Sequence, residues 1–312
     1  MKSWQMCPGH NRSDKKRPAV HTYNATLNSF TKFFGGQGTE EMLVTDVFTA
    51  GKLKEYEAWL RSRNASWNTV STYMRVLKAV YNRLVEAKRL TYDARLFDSV
   101  YTKVEAQSKR SLTEEQMNTL LHTDFEKLPE DVQNVLAYFL LMFLFRGMPF
   151  IDMAYLRKQD LKEHCITYCR HKTGKKMVVR IPHEATALFE KCRNKKTDSG
   201  YLFPILDETT ENDKKLYENY RQALRTFNRK LAKMAALLLP GTNISSYTAR
   251  HTWATLAFYS GIPIGIISKA LGHSSIKVTE TYLKPFENEK VDAANDELIM
   301  SVVKRSKEKI VA

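Results

Sequence analysis

Apolar residues recur every three or four positions through most of this chain, and one stretch near its middle alternates instead. Tyr23, Leu27, Phe30 and Phe34 form the first stripe, which Gly35, Gly36 and Gly38 end. Leu53, Tyr56 and Leu60 mark a second helix over residues 52–63, and Val70, Tyr73, Leu77, Val80, Tyr81 and Leu84 a third over 69–88. Thr113 and Gln116 have the spacing of a capping box that opens a helix over Glu114–Leu121. Residues 130–145 are apolar nearly all round, as a central buried helix should be. Residues 166–170 and 177–181 then read as two strands about the turn Thr173-Gly174, with 156–161 as a third. Helices resume over 185–192, 215–234, 250–259 and 262–271. Gly272 closes the last of these, and Ser274 or Ser275 can cap a further helix that carries Tyr282 two turns on. The pattern predicts a mainly α fold with a small antiparallel β-sheet (α+β).

The same pattern divides the chain. Residues 1–20 lack an apolar stripe and include Lys15-Lys16-Arg17, which suggests a flexible basic tail; residues 21–101 make a helical domain. The polar, basic segment 102–111 reads as a linker, 112–290 as a second domain, and 291–312 as a terminal helix and tail. Val291, Ala294, Leu298, Ile299 and Val302 line one side of that terminal helix, a face suited to docking on a neighbouring protomer or on its own domain.

Charge narrows the partners. A formal net charge of +15 and a pI near 9.5 call for a polyanion, whether DNA, RNA or an anionic membrane. The longest apolar run, residues 135–145, is too short to span a bilayer, and residues 1–20 hold no apolar signal core, so a soluble, cytoplasmic protein is expected. Four scattered cysteines do not suggest a disulfide framework. His164, Cys165, Cys169 and His171 are zinc ligands by type, but Cys165 and Cys169 on one face of a strand would stand about 13 Å apart, too far for one ion. No metal site is expected.

Several single residues invite chemistry, and each also has a plain reading. Arg146 follows Phe143-Leu144-Phe145, where a guanidinium needs an anion, either Asp152 from within or a ligand. Lys172 sits at the tip of the strand pair. Arg250 lies three residues after Tyr247, on the same helix face, whereas His251 points about 100° away and reads as packing. Tyr282 is a half-buried aromatic or a nucleophile, and a phenol attacks at neutral pH only with cations about its target. Arg75, Lys78 and Arg83 on the third helix, with Lys175 and Lys176 in the hairpin, offer a DNA-facing strip or a solvated one.

Taken in order, Arg146, Lys172, Tyr247-Thr248-Ala249-Arg250, Leu271-Gly272-His273 and Tyr282 resemble the catalytic series of the tyrosine recombinases, the phage-integrase family. The resemblance covers roughly residues 111–290, and the helical segment before it looks like the family's core-binding domain. It implies that Arg146 and Arg250 hold the non-bridging oxygens of a scissile phosphate, Lys172 protonates the departing 5′ oxygen, His273 donates a hydrogen bond and Tyr282 forms a 3′-phosphotyrosyl link. Such an enzyme needs neither ATP nor a metal cofactor, and the chain has no Gly-x-x-x-x-Gly-Lys phosphate loop. The resemblance further implies a clamp on double-stranded DNA, a synaptic tetramer, accessory DNA-bending factors and a place at the nucleoid. Two departures stand out. Tyr247 replaces the usual histidine, and the acidic residue expected soon after the first arginine comes only at Asp152, with some three extra residues within 147–151. A type IB topoisomerase-like relaxing enzyme and a DNA-binding protein that kept the fold but lost turnover are the rival readings.

Overall fold

The structure is a computed structural model that describes residues 12–35, 43–103, 111–207, 212–283, 291–292 and 295–300. Two compact units divide it, one ending at Ser108 and the other running from Lys109.

The first unit is helical: α1 (Arg12–Phe33), α2 (Val44–Val47), α3 (Ala50–Ser62) and α4 (Trp67–Glu86). Helix α1 begins at Arg12, so residues 12–20, expected to be a flexible tail, are helical. Its buried face runs through Thr26 and Phe30, whereas Leu27, expected inside, is 61% exposed. The Thr49 and Ser66 hydroxyls accept the N–H groups of Lys52 and Thr69, supplying the acceptors that the first turns of α3 and α4 lack. On α4 the buried apolar positions are Val70, Met74, Leu77 and Tyr81; Met74 takes the place expected for Tyr73, which is half-buried. These side chains meet Leu53, Tyr56 and Leu60 of α3 in one aromatic-rich core. Inside it, Glu57 accepts the Tyr101 N–H at 2.6 Å and the Lys54 ammonium at 2.5 Å, which satisfies an otherwise costly buried charge.

The second unit opens with α5 (Glu114–Leu121) and the expected capping box: the Thr113 hydroxyl accepts from Gln116 N–H at 3.1 Å while the Gln116 side chain accepts from Thr113 N–H at 3.0 Å. The central helix is α6 (Glu130–Leu144), against which α5, α8 (Thr186–Cys192), α9 (Asp213–Leu238) and α10 (Thr248–Tyr259) pack. Between α6 and the sheet comes the short α7 (Phe150–Tyr155). The sheet is antiparallel in the order β1 (Leu161–Lys162), β2 (Cys165–Cys169), β3 (Lys176–Arg180), with Thr167 opposite Val178. Ile166, Tyr168, Met177 and Val179 bury one face of it against the core. The third strand is far shorter than the expected 156–161, because the Asp160 carboxylate accepts the Arg157 N–H at 2.8 Å and closes a 3-10 turn there. Finally α11 (Ile264–Leu271) ends at Gly272 in the left-handed conformation, and α12 (Ile276–Glu280) follows. Tyr282 lies in the turn just past α12, not within a helix as expected, and Ser275 precedes α12 without a side-chain cap.

Residues 291–292 and 295–300 are helical, and Val291, Leu298 and Ile299 are exposed there; Ala294 and Val302 lie outside the described residues, as does most of the expected linker. Cys169 is disulfide-bonded, which departs from the expected unpaired cysteines, while Cys165 and Cys192 are free. Among the described residues no helix is long and apolar enough to cross a membrane, and no cluster of His, Cys, Asp or Glu could hold a metal ion.

Candidate active site

Arg250 is the centre of the site and is only 2% exposed. It projects from the first turn of α10 and donates from Nη1 to the Gly147 carbonyl at 2.9 Å and from Nη2 to the Leu271 carbonyl at 2.5 Å. Gly147 makes this approach possible: at φ +66°, a Cβ there would stand 3.0 Å from the Arg250 Cα. The Arg250 Nε has no partner among the described residues.

His273 follows Gly272 and brings its ring to Arg250, with Nη2 to Nε2 at 3.0 Å. A guanidinium only donates, so Nε2 accepts; Nδ1 therefore carries the proton and donates to the Thr279 hydroxyl at 2.9 Å. Burial first, then Arg250, pushes the His273 pKa down to about 4, with Arg170, Lys172 and Lys175 adding to the effect. The imidazole is neutral at pH 7.

Tyr282 completes the group. Its ring centroid lies 4.9 Å from that of His273 and 4.7 Å from that of His251, and the Arg250 guanidinium carbon is 5.5 Å from it. His251, read from the sequence as packing, has its ring against that of Tyr282. Tyr247, at the start of α10, is 45% exposed; burial of its hydroxyl and the neighbouring Tyr282 raise its pKa, so it can donate a hydrogen bond but is no base at neutral pH.

The other expected residues are placed differently. Arg146 adopts φ +60° just past α6 and is exposed, its Nη1 reaching the Val178 carbonyl at 3.4 Å. It does not pair with Asp152. That carboxylate, 3% exposed, accepts instead from Arg170 Nε at 3.2 Å and from the His171 N–H at 2.8 Å. Burial pushes the Asp152 pKa up, and Arg170 is the largest influence pulling it back. Arg170 is itself 4% exposed and donates from Nη1 at 2.7 Å to the Leu271 carbonyl that Arg250 also uses. Lys172 is exposed in the turn between β2 and β3, and Lys175 reaches the His273 carbonyl at 3.3 Å; Lys176, at the start of β3, is exposed. Arg75, Lys78 and Arg83 are exposed on α4 of the other unit, with Lys78 over Phe97 and Arg83 over Tyr23. Sequence reading missed Arg170 and Thr279. The available signal for Arg170 was Asp152, an acid on an otherwise apolar segment that needs a buried cation.

Comparison with known proteins fits this arrangement. The chain matches the phage integrase family over residues 110–289 and the phage integrase SAM-like domain over 8–95. It is 26% identical over 243 residues to the tyrosine recombinase XerA of Pyrococcus furiosus, covering 76% of each chain. A lambda integrase dimer bound to a COC′ core site shares the fold with a TM-score of 0.62 at 14% identity, covering 88% of this chain and 89% of that one. A lambda integrase tetramer bound to a Holliday junction aligns with a TM-score of 0.61 at 12% identity over 89% of this chain and 73% of that one. With the family matched across the whole segment that carries Arg250, His273 and Tyr282, the chain belongs to the phage integrase family, the tyrosine-type site-specific recombinases.

Proposed function

We propose that this recombinase cuts and rejoins duplex DNA through a 3′-phosphotyrosyl link on Tyr282, without ATP or a metal. The supporting observation is the contact of Arg250, His273 and Tyr282: a guanidinium and an imidazole joined at 3.0 Å, with the phenol ring against both. A phosphate drawn to Arg250 would meet donors fixed before it arrives, the arrangement that stabilises charge as it builds in a pentacovalent state. The phenol gives its proton to the neutral His273 imidazole beside it, its oxygen attacks phosphorus, the bond to the 5′ oxygen breaks, and the exposed Lys172 protonates that oxygen. Tyr247 donates to the phosphate. His273 does so once the incoming negative charge offsets its cationic neighbours and raises its pKa. Arg146, at the rim, reaches a phosphate oxygen or a flanking phosphate of the backbone.

The partners we propose are double-stranded DNA, contacted by Arg75, Lys78, Arg83, Lys175 and Lys176, and further copies of this chain in a synaptic tetramer, with accessory DNA-bending factors and a place at the nucleoid. The lambda integrase complexes, a dimer on a core site and a tetramer on a Holliday junction, support this assembly.

A nicked suicide duplex spanning the DNA that flanks the gene tests the chemistry. Wild-type protein should shift to a covalent adduct on a denaturing gel, and Tyr282→Phe should bind the duplex without attaching. Wild-type binding with no adduct would overturn the proposal in favour of a protein that only binds.

A further inference from the structure

We infer that Thr279 is a positioning residue for the strand-cutting step: its hydroxyl decides which nitrogen of His273 is bare, and its carbonyl ties the nucleophile's segment to the same point. The inference rests on the reading above in which His273 takes the phenol's proton. Thr279 lies in the short α12 and is fully buried. Its Oγ1 accepts the His273 Nδ1–H at 2.9 Å, and its carbonyl accepts the Tyr282 N–H at 2.8 Å. One residue thus holds the proton acceptor by its side chain and the nucleophile by its backbone. The Thr255 hydroxyl of α10 donates to the Tyr282 carbonyl at 3.4 Å, so the nucleophile is fixed through both of its backbone groups.

A neutral imidazole carries one proton, and either nitrogen can bear it. Only the form with the proton on Nδ1 leaves an electron pair on Nε2, the nitrogen 3.0 Å from Arg250 Nη2. In the cutting step the Tyr282 O–H bond breaks, its electron pair makes the new bond to phosphorus, and the proton goes to that Nε2. The bond from Nδ1–H to Thr279 persists throughout and steadies the imidazolium that results. The choice of a hydroxyl matters. The charged groups that face the ring are cations, Arg250 from α10 and Arg170, Lys172 and Lys175 from the hairpin, with Tyr282 as the neighbouring phenol. A carboxylate in the place of Thr279 would hold the same tautomer, but it would also favour a second proton on the ring before DNA arrived. The hydroxyl orients the imidazole and leaves it neutral.

The test compares Thr279→Val and Thr279→Ser in the full-length chain. Valine keeps the shape and the backbone bond to Tyr282 but cannot accept from Nδ1; serine can. Nitrogen-15 labelling of the eight histidines, with His273→Gln to identify its signals, reads which ring nitrogen carries the proton. Wild type and Thr279→Ser should show Nδ1–H at His273, and Thr279→Val should show the proton moved to Nε2. On the nicked suicide duplex at pH 7, adduct formation should slow about a hundred-fold in Thr279→Val, the lower end of what a proton acceptor contributes, and stay near wild type in Thr279→Ser. Between pH 7 and pH 9 the Thr279→Val deficit should narrow about ten-fold or more, because alkaline solution takes a phenol's proton directly. A merely structural defect would be equal at both. A proton on Nε2 in the wild-type spectrum would overturn the inference. So would a Thr279→Val protein that keeps Nδ1–H or the wild-type rate, and so would a deficit that serine shares or that pH leaves unchanged. Should Thr279→Val not fold, Thr279→Ala enters the same comparison. Absence of any wild-type adduct would instead strike the phosphoryl-transfer reading, on which the spectra do not depend.

Discussion

Gly272→Ala is the sharpest perturbation the site offers, because the same added methyl strains the backbone and pushes on a residue that cannot yield. The left-handed conformation at φ +68° costs an L-residue about 1–2 kcal/mol. The new Cβ would stand 2.8 Å from Arg170 Cδ and 2.8 Å from Met177 Sδ, where ordinary carbon contacts are about 3.5–4.0 Å. Methionine can swing away. Arg170 is pinned at Nε by Asp152 and at Nη1 by Leu271, so a shift of about 1 Å breaks one of those bonds. Overpacking of this kind costs about 1–3 kcal/mol, for a total of about 2–5. At about 2–4 °C per kcal/mol for a unit of this size, the melting temperature should drop by about 4–20 °C. The control is Gly265→Ala on the exposed face of α11, where a Cβ meets nothing within 4 Å. There, alanine should stabilise by about 0.4–1 kcal/mol. Thermal unfolding of the two variants beside wild type, followed by adduct formation, measures both effects. A Gly272→Ala protein that melts within about a degree of wild type and forms adduct at the same rate would refute the reasoning.

Two further outcomes follow from the same structure. His273 titrates near 4 in the folded chain and near 6.5 when unfolded, so the unfolded state binds the extra proton between those values and stability should fall as pH drops through that window; His273→Gln should flatten the dip in a series of melting temperatures from pH 4 to 7, and parallel curves would reject the assignment. Thr113→Ala removes the acceptor for Gln116 N–H and should lower the free energy of unfolding by about 0.5–2 kcal/mol in a urea titration with unchanged slope; an unchanged midpoint would show that the capping box contributes nothing.

Periodicity made most helices legible because burial on one face leaves a stripe, as on α4, and because Thr113 and Gln116 form a cap from neighbours in sequence. The hairpin strands fell within one residue of expectation for the same reason, an alternation that Ile166, Tyr168, Met177 and Val179 carry. The start of α1 was not legible: Arg12 to Arg17 holds no apolar residue to mark a buried side. Nor was the turn at Arg157, which depends on one carboxylate rather than on a pattern. Within the site, Arg250, His273 and Tyr282 could be picked out by motif. Arg170 could not, since a basic residue next to a lysine-rich turn looks solvated, and its burial is decided by Asp152 and Leu271, 18 and 101 positions away. Local sequence reports local partners best.

The peptide group joining Leu271 to Gly272 sits at a mechanical junction. Its oxygen tethers both arginines, its far side begins the turn that bears His273, and α12 and Tyr282 follow within a few residues. Turning that single amide plane would slacken both cations and swing the imidazole and phenol together, so the whole apparatus could be set or unset by one torsional movement. A neighbour that leans on α11 or α12 would have a lever on cutting without touching DNA.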